Sequence, residues 1–135
     1  MATHNPPPPI TDNIPAPTRD RLIAAMLNAL RRTGFHGVGL SELLSEAGAP
    51  KGVMYHHFPG GKSELAIAAI NLVVGQITGG LAKLMQRHAD PADALQAWMA
   101  SAQKLLASSG YQQGCPLASM ASESTPEDIA IREAL

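Results

Sequence analysis

The sequence predicts an all-α fold, and three observations predict it. Aromatic residues make up only 4% of the 135, while Ala and Leu are plentiful, a composition that favours helices over sheets. From Thr18 onward, apolar residues recur three and four apart rather than alternately. Gly and Pro fall between these periodic stretches, where they end one helix and open the next. The length suits one domain, or a small domain plus part of another.

The first 17 residues hold Pro6 to Pro9, Pro15 and Pro17. Such a segment cannot form a helix, and its few apolar groups cannot offset the entropy of ordering, so residues 1–17 are expected to be a disordered tail. It lacks Lys and Arg, which argues against its gripping a polyanion. A first helix is expected from about Arg19 to Thr33, capped by Thr18, with Leu22, Ile23, Met26, Leu27 and Leu30 as its buried stripe. Gly34 should end it in left-handed geometry, letting Phe35 fold back on Leu30. Arg31 and Arg32 suit its negative end, and with Arg19 and Arg21 they read mostly as a solvated face.

A second helix covers Leu40 to Ala47, with Leu40, Leu43, Leu44 and Ala47 inward and Gly48 as the turn. A third starts near Pro50, placed in the first helical turn, and ends near Phe58 before Pro59-Gly60-Gly61. Met54 and Phe58, four apart, form its inner edge; Gly52, Val53, Tyr55 and His56 fall largely outside. A fourth helix, from Lys62 to Arg87, carries Leu65, Ala69, Leu72, Val73, Ile77, Leu81 and Leu84 on one face, with a bend expected near Gly79-Gly80. Asp90-Pro91-Ala92-Asp93 opens a fifth helix ending near Gly110, its apolar side made of Leu95, Trp98, Met99, Ala102, Leu105 and Leu106. A short helix follows from Pro116 to about Ala121. Thr125-Pro126-Glu127-Asp128 reads as a cap, a first-position proline and two acids opening a last helix.

Leu40 to Phe58 reads as a helix-turn-helix whose second helix faces DNA. The net charge of −1 does not flag a nucleic-acid binder, although a bulk balance can hide a local patch. Cys115 is the only cysteine, so no intrachain disulfide forms. The start lacks both a basic stretch and an apolar core, so no secretory signal is expected. No run of about 18 apolar residues free of polar interruption appears, so neither a membrane span nor a membrane partner is expected. A reducing cytoplasm is the simplest compartment.

The stretch from Thr18 to Ile70 resembles the N-terminal domain of TetR-family transcriptional regulators. Gly34-Phe35, Ala47-Gly48, Lys51-Gly52, Tyr55-His56-His57-Phe58 and Lys62 carry the resemblance. Pro59-Gly60-Gly61-Lys62 and Gly114-Cys115-Pro116-Leu117 resemble the LmrA/YxaF-like branch. The resemblance implies a DNA-binding domain over residues 18–65 and part of a helical ligand-binding and dimerisation domain from 66 to 135. It also implies a homodimer on a (pseudo)palindromic double-stranded operator, usually repressing, and released when a small-molecule effector moves the fourth helix.

Carried over by position, Lys51, Gly52 and Val53 begin the reading helix. Tyr55, His56 and His57 match positions that grip DNA, mostly at phosphates, and Lys62 matches a phosphate-meeting lysine. Val38 and Gly39 stand where two hydroxyl residues usually precede the second helix, and Ser41 where a basic residue is frequent. Val53 replaces a common Ser or Thr and offers an apolar contact, for instance to a thymine methyl. Weaker backbone anchoring follows. Family members usually carry further C-terminal helices that form the dimer's four-helix bundle. The last helix here lacks a C-cap, so the chain reads as truncated or as pairing otherwise. A rival reading is a shortened regulator without operator activity, acting through ligand binding or a full-length partner.

His56-His57 invites a metal reading, but adjacent histidines diverge by about 100° on a helix, whereas a clamp uses positions four apart. No metal or cofactor is expected. Met85, Trp98, Met99 and Cys115 are candidate lining for an effector pocket, against plain core packing for the first three and a half-buried helix-entry position for the cysteine. Cys115 could also serve as a redox sensor, since it stands just before a helix N-terminus, where a thiol is more reactive, although a plain helix-entry residue is the favoured reading; as a catalytic nucleophile it lacks a convincing base. Tyr111 and Glu123 are the nearest partners and no histidine follows His88, so no enzymatic activity is expected.

Overall fold

The computed structural model describes residues 16–135. The expected tail, residues 1–17, lies outside them apart from Ala16 and Pro17. Seven helices follow in order: α1 (Thr18–Thr33), α2 (Leu40–Ala47), α3 (Lys51–His57), α4 (Lys62–Arg87), α5 (Pro91–Ser108), α6 (Pro116–Glu123) and α7 (Ile129–Ala134). No strand occurs among the described residues.

The core is a single cluster built on α1. Leu22, Met26 and Leu30 are fully buried there, and Leu43, Met54, Phe58, Leu65 and Ile70 close on them from α2, the α3 end and α4. Met120 of α6 and Ile131 of α7 complete it. Thus α6 packs against α1 and α4, and α7 against α4. Among the described residues, no buried polar side chain interrupts this core.

Polar contacts fix α1 against α2. The Arg21 Nε–H donates to the Ala47 carbonyl at 3.0 Å, and its guanidinium also reaches the carbonyls of Ala16 and Gly48 and the Thr18 hydroxyl. Glu46 accepts from the Asn28 amide and from Arg32, each at 3.0 Å. The solvated-face reading therefore fails for Arg21, while Arg32 stays exposed and pairs with Glu46 at the surface.

Several local expectations are corrected. Pro17, extended at ψ 143°, is the N-cap of α1, and Thr18 is already helical. Gly34 has φ 69° but ψ 178°, so it turns the chain outside the left-handed helical region, and Phe35 still packs against the core. Pro50 is the N-cap of α3 rather than its first residue. α5 stops at Ser108, ahead of Gly110 and Tyr111, both at positive φ. α7 begins only at Ile129, because the Asp128 carboxylate accepts from the Thr125 N–H and hydroxyl and folds residues 125–128 into a turn.

The apolar side expected for α5 is mostly uncovered. Ala94 is buried and Trp98 half-buried, while Leu95, Met99, Leu105 and Leu106 are exposed. α4 is, by length and composition, apolar enough to cross a membrane, although Asn71, Gln76 and Thr78 interrupt its apolar run. Its first half is a core helix: Leu65, Ala66, Ala69, Ile70 and Val73 are buried.

Candidate nucleic-acid interface

α3 is a seven-residue helix pinned by its ends. The N–H groups of Val53 and Met54 bond to the Pro50 carbonyl, and the Phe58 N–H closes on Met54 at 2.8 Å. Met54 and Phe58 sit in the core, 0% and 2% exposed. That inner edge fixes the rotation of the helix and turns the opposite side to solvent. Lys51, Gly52, Tyr55 and His56 are exposed, and Val53 and His57 half-buried. α3 itself carries no acidic residue.

Lys51 and Tyr55, four apart, share one face, with the ammonium 6.0 Å from the ring centroid. The Tyr55 ring lies against Gly61, where a Cβ would stand 3.2 Å from it. Tyr55 is 42% exposed, so it is braced from behind and open in front. A Cβ on Gly52 would meet nothing within 4 Å, which leaves backbone at the tip of the helix open to close approach. The rings of His56 and His57 lie 5.3 Å apart and nearly perpendicular, and no metal-binding group of residues forms among the described residues. His57 instead borders a surface cleft of about 640 Å³ with Arg19, Phe58 and Glu64.

Lys62 opens α4, directly after the turn that ends α3. Its ammonium lies 4.6 Å above the Phe35 ring. Burial holds its pKa below the usual lysine value, while the charge of Glu123 acts in the opposite sense. An incompletely hydrated cation of this kind gains from an anion that replaces the missing water. The site residues Lys51, Gly52, Val53, Tyr55, His56 and His57 thus share α3, with Tyr55 joined to the α3–α4 turn that leads to Lys62.

The candidate effector residues do not converge in the same way. Met85 and Met99 are 54% and 51% exposed, Cys115 is exposed as the N-cap of α6, and Trp98 is half-buried. None of the four borders the cleft beside α3 or a smaller one between α6 and α7. Sequence reasoning missed Arg21 and Glu123. Neither has a local signature, because their partners lie 26 and 87 residues away.

Residues 22–69 match the family described as bacterial regulatory proteins, tetR family. The HTH-type transcriptional regulator LmrA of Bacillus subtilis is 33% identical over 117 residues, 87% of this chain and 62% of that protein. YxaF, an HTH-type transcriptional regulator of the same organism, is 30% identical over 78% of this chain and 56% of its own length. The crystal structure of a regulatory protein TetR from Rhodobacter sphaeroides superposes with a TM-score of 0.76 at 26% identity, covering 87% of this chain and 64% of that one. Reduced Escherichia coli NemR superposes with a TM-score of 0.70 at 28% identity, covering 87% and 63%. The chain spans a little over half the length of the curated relatives LmrA and YxaF.

Proposed function

Because the chain belongs to the TetR family of bacterial regulatory proteins, we propose that it is a DNA-binding transcriptional regulator, without enzymatic activity, that acts on its operator as a dimer. The observation that carries this reading is the one-sided burial of α3. Met54 and Phe58 anchor it, while Lys51, Gly52, Tyr55 and His56 face outward together. A short helix presented this way fits the major groove, with its first residues at base edges and cationic or hydroxyl groups at phosphates.

In this reading Lys51, Gly52 and Val53 meet bases and nearby backbone. Tyr55, His56, His57 and Lys62 hold the flanking phosphates. A (pseudo)palindromic operator follows from pairing two copies, whose reading helices must stand about 34–36 Å apart to enter successive major grooves. Repression is the favoured direction; NemR of E. coli, 49% identical over 41 residues, is named a transcriptional repressor. Release by a small molecule needs only an effector that prefers a wrongly spaced pair. Met85, Trp98, Met99 and Cys115 are the residues proposed to meet it, and cytoplasmic action accords with the whole scheme.

Selection of duplexes from a random pool, followed by mobility shift, tests the reading. The expected result is enrichment of an inverted repeat, bound far more tightly than a scrambled duplex and weakening steeply with salt. Equal affinity for both duplexes would contradict it.

A further inference from the structure

A side-chain contact between the region behind the reading head and the head itself is made by Glu123, the last residue of α6. Its Oε2 accepts from the His36 N–H at 2.9 Å, and its own carbonyl oxygen lies 3.4 Å from the His36 Nε2. Its carboxylate lies against Gly34, at the corner where α1 ends; any side chain at Gly34 would collide with it. The neighbouring Phe35 carries the Lys62 ammonium on its ring, and the Phe35 and His36 rings stand 5.5 Å apart, edge to face. One acidic side chain from α6 therefore docks on the α1–α2 connection at Gly34 and His36, on either side of the Phe35 whose ring carries the Lys62 ammonium.

The corner faces few other charges. Asp128, in the turn before α7, is held below the usual carboxylate range chiefly by hydrogen bonds from Thr125, with a smaller contribution from nearby His36. No ion pair within 4.0 Å joins Lys62 to a carboxylate among the described residues; Arg32 with Glu46 is the pair they contain. Lys62 is thus attracted by Glu123 without being neutralised in direct contact, and it stays available to a closer anion.

We propose that Glu123 is a positioning residue that docks α6 on the α1–α2 connection and, as an internal anion beside Lys62, attenuates the grip of the reading head on DNA phosphate. The inference rests on the DNA-binding reading given above. A phosphate arriving at Lys62 meets the repulsion of the Glu123 carboxylate, so the two anions compete for one cation. A movement of α6 that draws Glu123 away strengthens the head's electrostatic hold, and DNA binding in turn weakens the docking by the same factor.

Glu123→Gln separates charge from shape, because the side-chain amide oxygen still accepts the His36 N–H. The test measures affinity for the duplex selected by the wild-type chain, in the wild type, Glu123→Gln, Lys62→Ala and the double variant, at low and moderate salt. The expected gain for Glu123→Gln is roughly two- to tenfold at low salt, shrinking as salt rises. In the Lys62→Ala background the gain should vanish, since the cation being shielded is gone. A residue that merely held α6 in place would give equal or weaker binding on losing its charge, and that result overturns the proposal. So does a gain that persists without Lys62. If the wild-type chain enriches no duplex, the DNA-binding reading and this inference fall together. If it enriches one and Glu123→Gln leaves its affinity unchanged, this inference falls alone.

Discussion

Gly48 shows how much of the reading head depends on single residues. It sits at φ 61°, ψ 39°, the left-handed turn between α2 and α3, and its N–H bonds to the Ser45 carbonyl at 3.2 Å. A Cβ there would meet nothing within 4 Å, so a substitution is opposed by backbone strain alone. Gly48→Ala should therefore cost about 1–2 kcal/mol in urea unfolding, without changing the slope of the transition. Tyr55 makes the complementary case. Its ring braces the α3–α4 turn but is open on the other side, so Tyr55→Ala should weaken DNA binding by roughly tenfold, the loss of one good phosphate hydrogen bond. A thermal transition within a few degrees of wild type would accompany it. Unchanged affinity would remove Tyr55 from the interface.

At the scale of elements, α1 and α2 are joined by a small polar clasp. The Glu46 carboxyl is held below the usual carboxylate range, chiefly by the Asn28 amide; burial opposes this, and Arg32 adds to it. A carboxyl depressed on folding contributes stability above its unfolded pKa of about 4.3 and loses it as pH falls through its folded value. Both side chains of the ion pair are about a third exposed, so the clasp is worth less than about 1 kcal/mol. Wild type should be slightly more stable than Glu46→Gln at neutral pH, and the two should converge as pH falls through the depressed folded value of Glu46. A constant difference across that range would mean that the charge contributes nothing.

The same scale shows what the sequence could reveal. The bounds of α2 and α4 are legible because strong breakers flank them: Gly39 and Gly48 around α2, and the Pro59-Gly60-Gly61 link before α4. The outward face of α3 is legible too, since Met54 and Phe58 leave one rotation of the helix. The start of α7 is not, because Thr125-Pro126-Glu127-Asp128 is a good helix opening by composition and an equally good side-chain-closed turn. Periodicity marked an apolar side on α5, but it could not say whether anything covers it. The docking of Glu123 depends on a fold that brings residues 36 and 123 together, and no local pattern announces that. The LmrA and YxaF likeness read from a few motif residues is matched by the relatives found across most of the chain.

For the whole molecule, the asymmetry between its two ends is the main feature. The head and α6–α7 share one apolar core, while α5 leans on α4 with Leu95, Met99, Leu105 and Leu106 uncovered. A row of exposed apolar side chains of this size favours association. Light scattering of this 135-residue chain should show a mass that rises with concentration over the micromolar range. A concentration-independent monomer would contradict that expectation, and a tight dimer at all concentrations would point to a better-covered interface than α5 offers.

The central claim is that the outward side of α3, with the start of α4, is the surface that meets DNA. The most direct measurement is an NMR titration of the labelled chain with its selected duplex, following every backbone amide. The largest shifts are predicted at Lys51 to His57 and around Lys62, with the amides of α5 nearly still. Shifts confined to α5 and α6, with α3 unmoved, would contradict the account.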